Sequence, residues 1–112
     1  MRWLRRLALL ILVIPAPLLA GAAGFNIVNA TGLDIQQLEI RRYGTQEWKP
    51  LSAKPTAGGR GPVDFNDPDC AFDIRAKLTG NVVAVWRAVN LCEAKSVTLN
   101  RNAAGALWID YD

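Results

Sequence analysis

Between its two cysteines the chain alternates with a regularity that leaves few folds open. Cys70, Phe72, Ile74, Ala76 and Leu78 interleave with Ala71, Asp73, Arg75 and Lys77, the period of two that sends successive side chains to opposite faces of a strand. Thr79-Gly80-Asn81 follows, residues that tolerate the positive φ of a tight turn, and residues 82–91 are apolar enough to return as the partner strand. Charge chooses the pairing. A two-residue loop at Gly80-Asn81 sets Arg87 opposite Ile74 and drives a guanidinium into the core. A three-residue loop sets Trp86 opposite Ile74, Ala88 opposite Phe72 and Ala84 opposite Ala76, and leaves Arg87 outside, facing Asp73. An unpaired buried charge costs several kcal/mol, so the second register is expected, with Trp86 inside and Asp73 paired to Arg87 on a wet face. It brings Cys92 to the inner face diagonal to Cys70, and a bulge or bend near Asn90 is then needed for the two sulfurs to meet.

No other stretch beyond residue 22 sustains a helical period, and the remaining elements also read as strands. They are expected at residues 25–29, 35–42, 63–66, 95–100 and 106–111, with a bulge between Ile35 and Leu38, whose phases differ by one. Residues 43–62 are rich in Gly and Pro and read as irregular, with Trp48 and Leu51 as apolar anchors. Several short strands and turn signals give an all-β chain, a small antiparallel β-sandwich or partly open barrel. The cysteines lie too close in sequence to bridge two sheets as in an immunoglobulin domain; they would staple one hairpin.

The 112 residues carry 13 Lys and Arg against 10 Asp and Glu, a net charge of +3. The excess is local. Arg2, Arg5 and Arg6 open the chain without an acid, residues 7–20 are apolar, and Ala20-Gly21-Ala22 supplies an A-x-A exit, the three parts of a secretory signal peptide. The apolar run is interrupted by Pro15 and Pro17 and is shorter than the roughly 20 residues that span a bilayer. A twin-arginine signal is disfavoured by the plain Leu-Ala-Leu-Leu that follows Arg6, and no cysteine near the exit suggests a lipid anchor. Residues 1–22 are thus read as the signal and 23–112 as one domain, formally neutral once the three arginines leave. Nucleic acid is not expected as a partner of a balanced surface. Export to the periplasm or beyond the cell exposes Cys70 and Cys92 to oxidation, so a disulfide is expected between them.

The run Phe25-Asn26-Ile27-Val28-Asn29-Ala30-Thr31-Gly32, then Ile35, Leu38 and Trp48, Cys70 with Asp73-Ile74, and Trp86-Arg87-Ala88-Val89-Asn90-Leu91-Cys92-Glu93 resembles a group of small exported bacterial proteins of uncharacterised function. Those share an N-x-T-G turn, a central Trp, a C-x-x-D segment and a W-x-x-V-N-L-C ending in this order. The likeness extends to about Leu99; the tail from Arg101, with Trp108, is less typical. It implies a disulfide-bonded β domain outside the cytoplasm and assigns no catalytic residue.

Candidate chemistry is sparse. Histidine is absent, which removes every mechanism that needs an imidazole, and no cofactor is expected. Asp64, Asn66, Asp67, Asp69 and Asp73 could form an oxygen-rich calcium site or offer two carboxylates for hydrolysis, but Pro68 and Asp69 do not fit the helical calcium loop. A solvated turn is the plainer reading, with Asp64, Asp67 and Asp69 a weak metal alternative. Trp48 and Trp108 are expected in the core. Tyr43, after Arg41-Arg42, is the better exposed contact, and Arg41, Arg42, Tyr43 and Trp48 form the candidate binding set. Ser52 with Lys54 and Ser96 with Lys95 lack the spacing of a serine–lysine pair. Gly58-Gly59-Arg60-Gly61-Pro62 lacks the strand and helix of a phosphate loop and reads as a flexible connection. Asn29-Ala30-Thr31 is formally a glycosylation sequon, read as a turn. The leading expectation is a non-enzymatic exported interaction module or envelope accessory protein. The alternatives are a small enzyme or calcium protein using the Asp64 to Asp73 carboxylates, and a protease inhibitor presenting the 43–61 loop.

Overall fold

The computed structural model describes residues 21–112; residues 1–20, which hold all but the end of the expected signal, lie outside the described residues. One sheet is formed by β1 (Phe25–Ala30), β4 (Arg60–Val63), β7 (Ser96–Arg101) and β8 (Leu107–Tyr111) in the order β4-β1-β7-β8. The other contains β2 (Ile35–Arg42), β3 (Lys49–Leu51), β5 (Ala71–Leu78) and β6 (Val82–Asn90) in the order β3-β2-β5-β6. The two pack as a sandwich whose core takes Phe25 and Ile27 from one side and Leu38, Ile40, Ile74 and Trp86 from the other. The pairings are antiparallel except that of β1 with β7, which is parallel. Alternation along a strand cannot show that exception, because it reports which face is buried and not the direction of the neighbour.

The hairpin of β5 and β6 has the expected three-residue turn. Leu78 pairs with Val82, Ala76 with Ala84 and Ile74 with Trp86, and Gly80 and Asn81 take φ of 82° and 61°. Beyond Ile74 the expectation fails. The register shifts, Phe72 faces Val89 instead of Ala88, and Ala88 sits at φ 54°. This bulge at Arg87–Ala88 falls two residues earlier than expected, and it does the work assigned to a bend at Asn90. Cys70 and Cys92 are bonded, with Cα atoms 5.0 Å apart, a state suited to an oxidising compartment.

The bulge in β2 lies between Ile35 and Gln37, as the phases of Ile35 and Leu38 predicted. Residues 43–62 are more ordered than their composition suggested. Lys49–Leu51 pairs with β2 and Arg60–Val63 with β1, so the strand expected at 63–66 ends where it was expected to begin. Both are short edge strands carrying Pro50 and Pro62, residues tolerated only where one side of the ladder is open. The opposite side of the sandwich is laced. The Trp86 indole Nε1 donates to the Asn100 carbonyl at 3.1 Å, and the Asn90 N–H donates to the Tyr111 hydroxyl at 3.0 Å.

Candidate functional site

Asn29 is fully buried and is the hinge of the β1–β2 connection. Its amide Nδ2 donates to the carbonyls of Leu33 and Pro55 at 2.7 and 3.0 Å, while its Oδ1 accepts from the Thr31 N–H and hydroxyl at 3.0 and 2.6 Å. Its backbone bonds Gly58 and Gly59, so the glycines read as a flexible connection are held. The sequon asparagine is therefore a structural group with every polar atom spent.

The expected wet face of β5 is wet at Lys77 but covered at Asp73. Asp73 is 1% exposed and is the acid of a buried pair. Arg41 Nε donates to its Oδ2 at 2.9 Å and the Ala88 N–H, turned inward by the bulge, donates to Oδ1 at 3.0 Å. Arg87 is exposed and does not hold it. The sequence argument minimised buried charge across one hairpin, whereas the partner came from β2, the neighbour on the other side. Arg75 bonds Glu39 at 2.8 Å in the same layer. Over this layer, and not in the core where it was expected, lies Trp48, half-buried, with the guanidinium carbons of Arg41 and Arg75 at 4.3 and 4.2 Å from its ring centre, a cation–π arrangement. Arg41 and Trp48, two of the four candidate contacts, are thus occupied inside the protein.

Arg42, together with Arg41, also lines a groove. It measures about 540 Å³ and runs between the β2–β3 loop and the segment joining β4 to β5. Arg41, Arg42, Thr45, Glu47 and Lys49 line one wall and Phe65, Asn66 and Asp67 the other, with Ile40 and Phe72 below. Phe65 stands edge-on to Phe25 and Phe72, at 6.4 and 5.1 Å between ring centres, and so joins the two sheets under the groove. Phe65 went unremarked as a site residue, since the signal for it lies in contacts from both sheets. Tyr43, next in the chain to Arg42, is 56% exposed and is not itself part of the groove lining. Its N–H donates to the Ala71 carbonyl, extending the β2–β5 ladder and fixing the base of the loop.

Arg42 spans the groove to Asp67 at 3.0 Å. Burial pushes the Asp67 carboxyl up, but the Asp69 N–H and the Arg42 guanidinium outweigh it and hold the group below the ordinary carboxylate range; the Asp67 hydrogen bond and charge raise Arg42 in return. Asp69 lies 3.9 Å from Arg42 and caps the Cys70 N–H. Of the carboxylates offered for calcium or hydrolysis, Asp67, Asp69 and Asp73 are thus spent on arginines and backbone N–H groups and Asp64 is exposed, and among the described residues no three acids, cysteines or histidines gather at a metal-holding distance. Ser96 is buried and accepts from Arg60. Trp108, expected in the core, is 45% exposed on the edge strand β8, where its register with Asn100 places it on the outer face.

No family model and no curated protein matches the chain. Among solved structures it is similar to a protein from Eubacterium rectale determined by NMR, with a TM-score of 0.57 and 7% identity over 80% of this chain and 87% of that one. At that identity the likeness speaks to the sandwich fold.

Proposed function

We propose that this protein is an exported, non-enzymatic interaction module that engages a protein or envelope partner through the groove beside Tyr43. The carrying observation is a groove walled by Arg42 and by Phe65 with Asp67 and floored by Ile40 and Phe72, with the exposed Tyr43 adjoining Arg42 in the chain, next to a disulfide-stapled hairpin. Aromatic and arginine side chains at the rim of a pre-ordered cleft are the composition favoured at protein interfaces. Export is supported by the Arg2–Ala22 signal pattern, by the disulfide, and by the resemblance to small exported bacterial β domains. The absence of histidine and the commitment of Asp67, Asp69 and Asp73 to arginines and N–H groups favour binding over catalysis.

A photo-crosslinking residue at position 43, in the protein expressed with its signal, is expected to give a discrete adduct. The same residue at Thr98, in the sheet away from the groove, is expected to give none. Equal adducts at both positions, or adducts at 98 alone, would overturn the groove as the contact surface. An adduct to a protease would shift the reading to an inhibitor.

A further inference from the structure

The last two residues of the A-x-A exit, Gly21 and Ala22, are already part of the folded domain. Ala22 is 2% exposed and joins the core cluster. It forms a two-way bridge with Asp67: its N–H donates to the Asp67 carbonyl at 2.7 Å and to that of Asp69 at 3.1 Å, and the Asp67 N–H returns a bond to the Ala22 carbonyl at 3.1 Å. Gly21 lies so close to this segment that a Cβ there would collide with the Asp67 carbonyl oxygen and the Pro68 backbone. The middle position of an A-x-A motif is open to any residue, so processing does not require glycine at 21. The fold does, because only glycine allows this approach of two backbones.

Resting on the export reading above, we propose that the signal is cut between Ala20 and Gly21, so that the mature chain begins Gly21-Ala22 and these two residues strap the Asp67–Pro68 segment. In that step a water molecule is consumed. The Ala20–Gly21 amide C–N bond breaks, Ala20 keeps the new carboxylate and Gly21 the new amine. Leu18-Leu19-Ala20 retains a small residue before the cut. Cutting after Ala22 would remove the partner of the Asp67 carbonyl and N–H and of the Asp69 carbonyl, and uncover the core surface that Ala22 fills. The strapped segment carries Phe65 and Asp67, one wall of the groove, so the position of the cut shapes the binding surface.

The intact mass of the protein recovered from the extracytoplasmic fraction, expressed from the full chain, tests this. A chain beginning at Gly21 is expected. Ala22→Arg, which removes the downstream motif and keeps Ala20, is expected to leave cleavage at the same bond in a precursor-to-product assay that reads processing apart from folding. A wild-type chain beginning at Ala23 or later, or loss of processing in Ala22→Arg, would overturn the cut at Gly21 and leave export standing. A chain still beginning at Met1 would overturn both.

Discussion

Three side chains carry polar bonds that cannot be replaced locally. Asn29 satisfies two carbonyls and a threonine while completely buried. Asn29→Asp keeps the shape, but it removes both N–H donors and turns a carboxylate toward two carbonyls. A loss of about 2–3 kcal/mol is expected by denaturant unfolding, the scale set by buried groups left unpaired. Asp73→Ala, which strands Arg41 and the Ala88 N–H, is expected to cost about 3 kcal/mol, and Asp73→Asn less, because an oxygen remains for Ala88. Ala88 itself holds a left-handed φ of 54°, a conformation that costs a Cβ-bearing residue about 1 kcal/mol. Ala88→Gly is therefore expected to raise the unfolding midpoint or leave it unchanged. Asp67 supplies a pH signature. Its carboxyl is held below the unfolded value, so its contribution is complete above the unfolded pKa of about 3.9 and drains as pH falls through the lower folded value. Unfolding midpoints of wild type and Asp67→Asn, measured from pH 7 downward, should converge below about pH 4.

The β5–β6 hairpin is the element on which the rest is ordered. Its turn sets the register, its bulge delivers Ala88 to Asp73, and its disulfide closes the far end across a separation of 22 residues. A loop of this size loses about 3 kcal/mol of denatured-state entropy in the chain-entropy model when cross-linked. The double variant Cys70→Ser/Cys92→Ser is expected to show that loss in its denaturant midpoint, and wild type in reductant should match it. Short prolines on the β3 and β4 edges restrict strand addition there. The edges of β6 and β8 carry no proline; the bond from Asn90 to Tyr111 ties them to each other, and that from Trp86 to Asn100 ties β6 to β7.

Across the whole molecule, the two sheets meet in one apolar layer, and the charges sit in a second layer outside β2 and β5. There Arg41, Asp73, Glu39 and Arg75 form two ion pairs beneath Trp48. This layer stiffens the sheet from which the Tyr43 loop rises. Trp48→Ala is expected to loosen Arg41 and Arg75 together, visible as increased amide exchange in β2 and β5 with a modest loss of stability of about 1 kcal/mol. The groove lies where that layer, the disulfide end and the 64–69 segment converge, so its shape depends on residues from both sheets.

Much of this was legible beforehand because it depends on near neighbours. The alternation of Cys70 to Leu78, the Gly80-Asn81 turn, the burial of Trp86, the slip between Ile35 and Leu38 and the pairing of the cysteines follow from period, turn chemistry and the cost of burying Arg87. The partner of Asp73, the place of the second bulge, the parallel alignment of β1 with β7, the strands hidden in 43–62 and the exposure of Trp108 did not follow. Each depends on which strand lies alongside, and a strand's own pattern records only that one face is apolar. Arg41 reaches Asp73 across 32 positions of chain, and Phe65 gains its meaning from Phe25 and Phe72 on different sheets. Local chemistry settled the hairpin; long-range packing settled the ion pairs and the groove, because a buried charge accepts whichever partner the fold brings within reach.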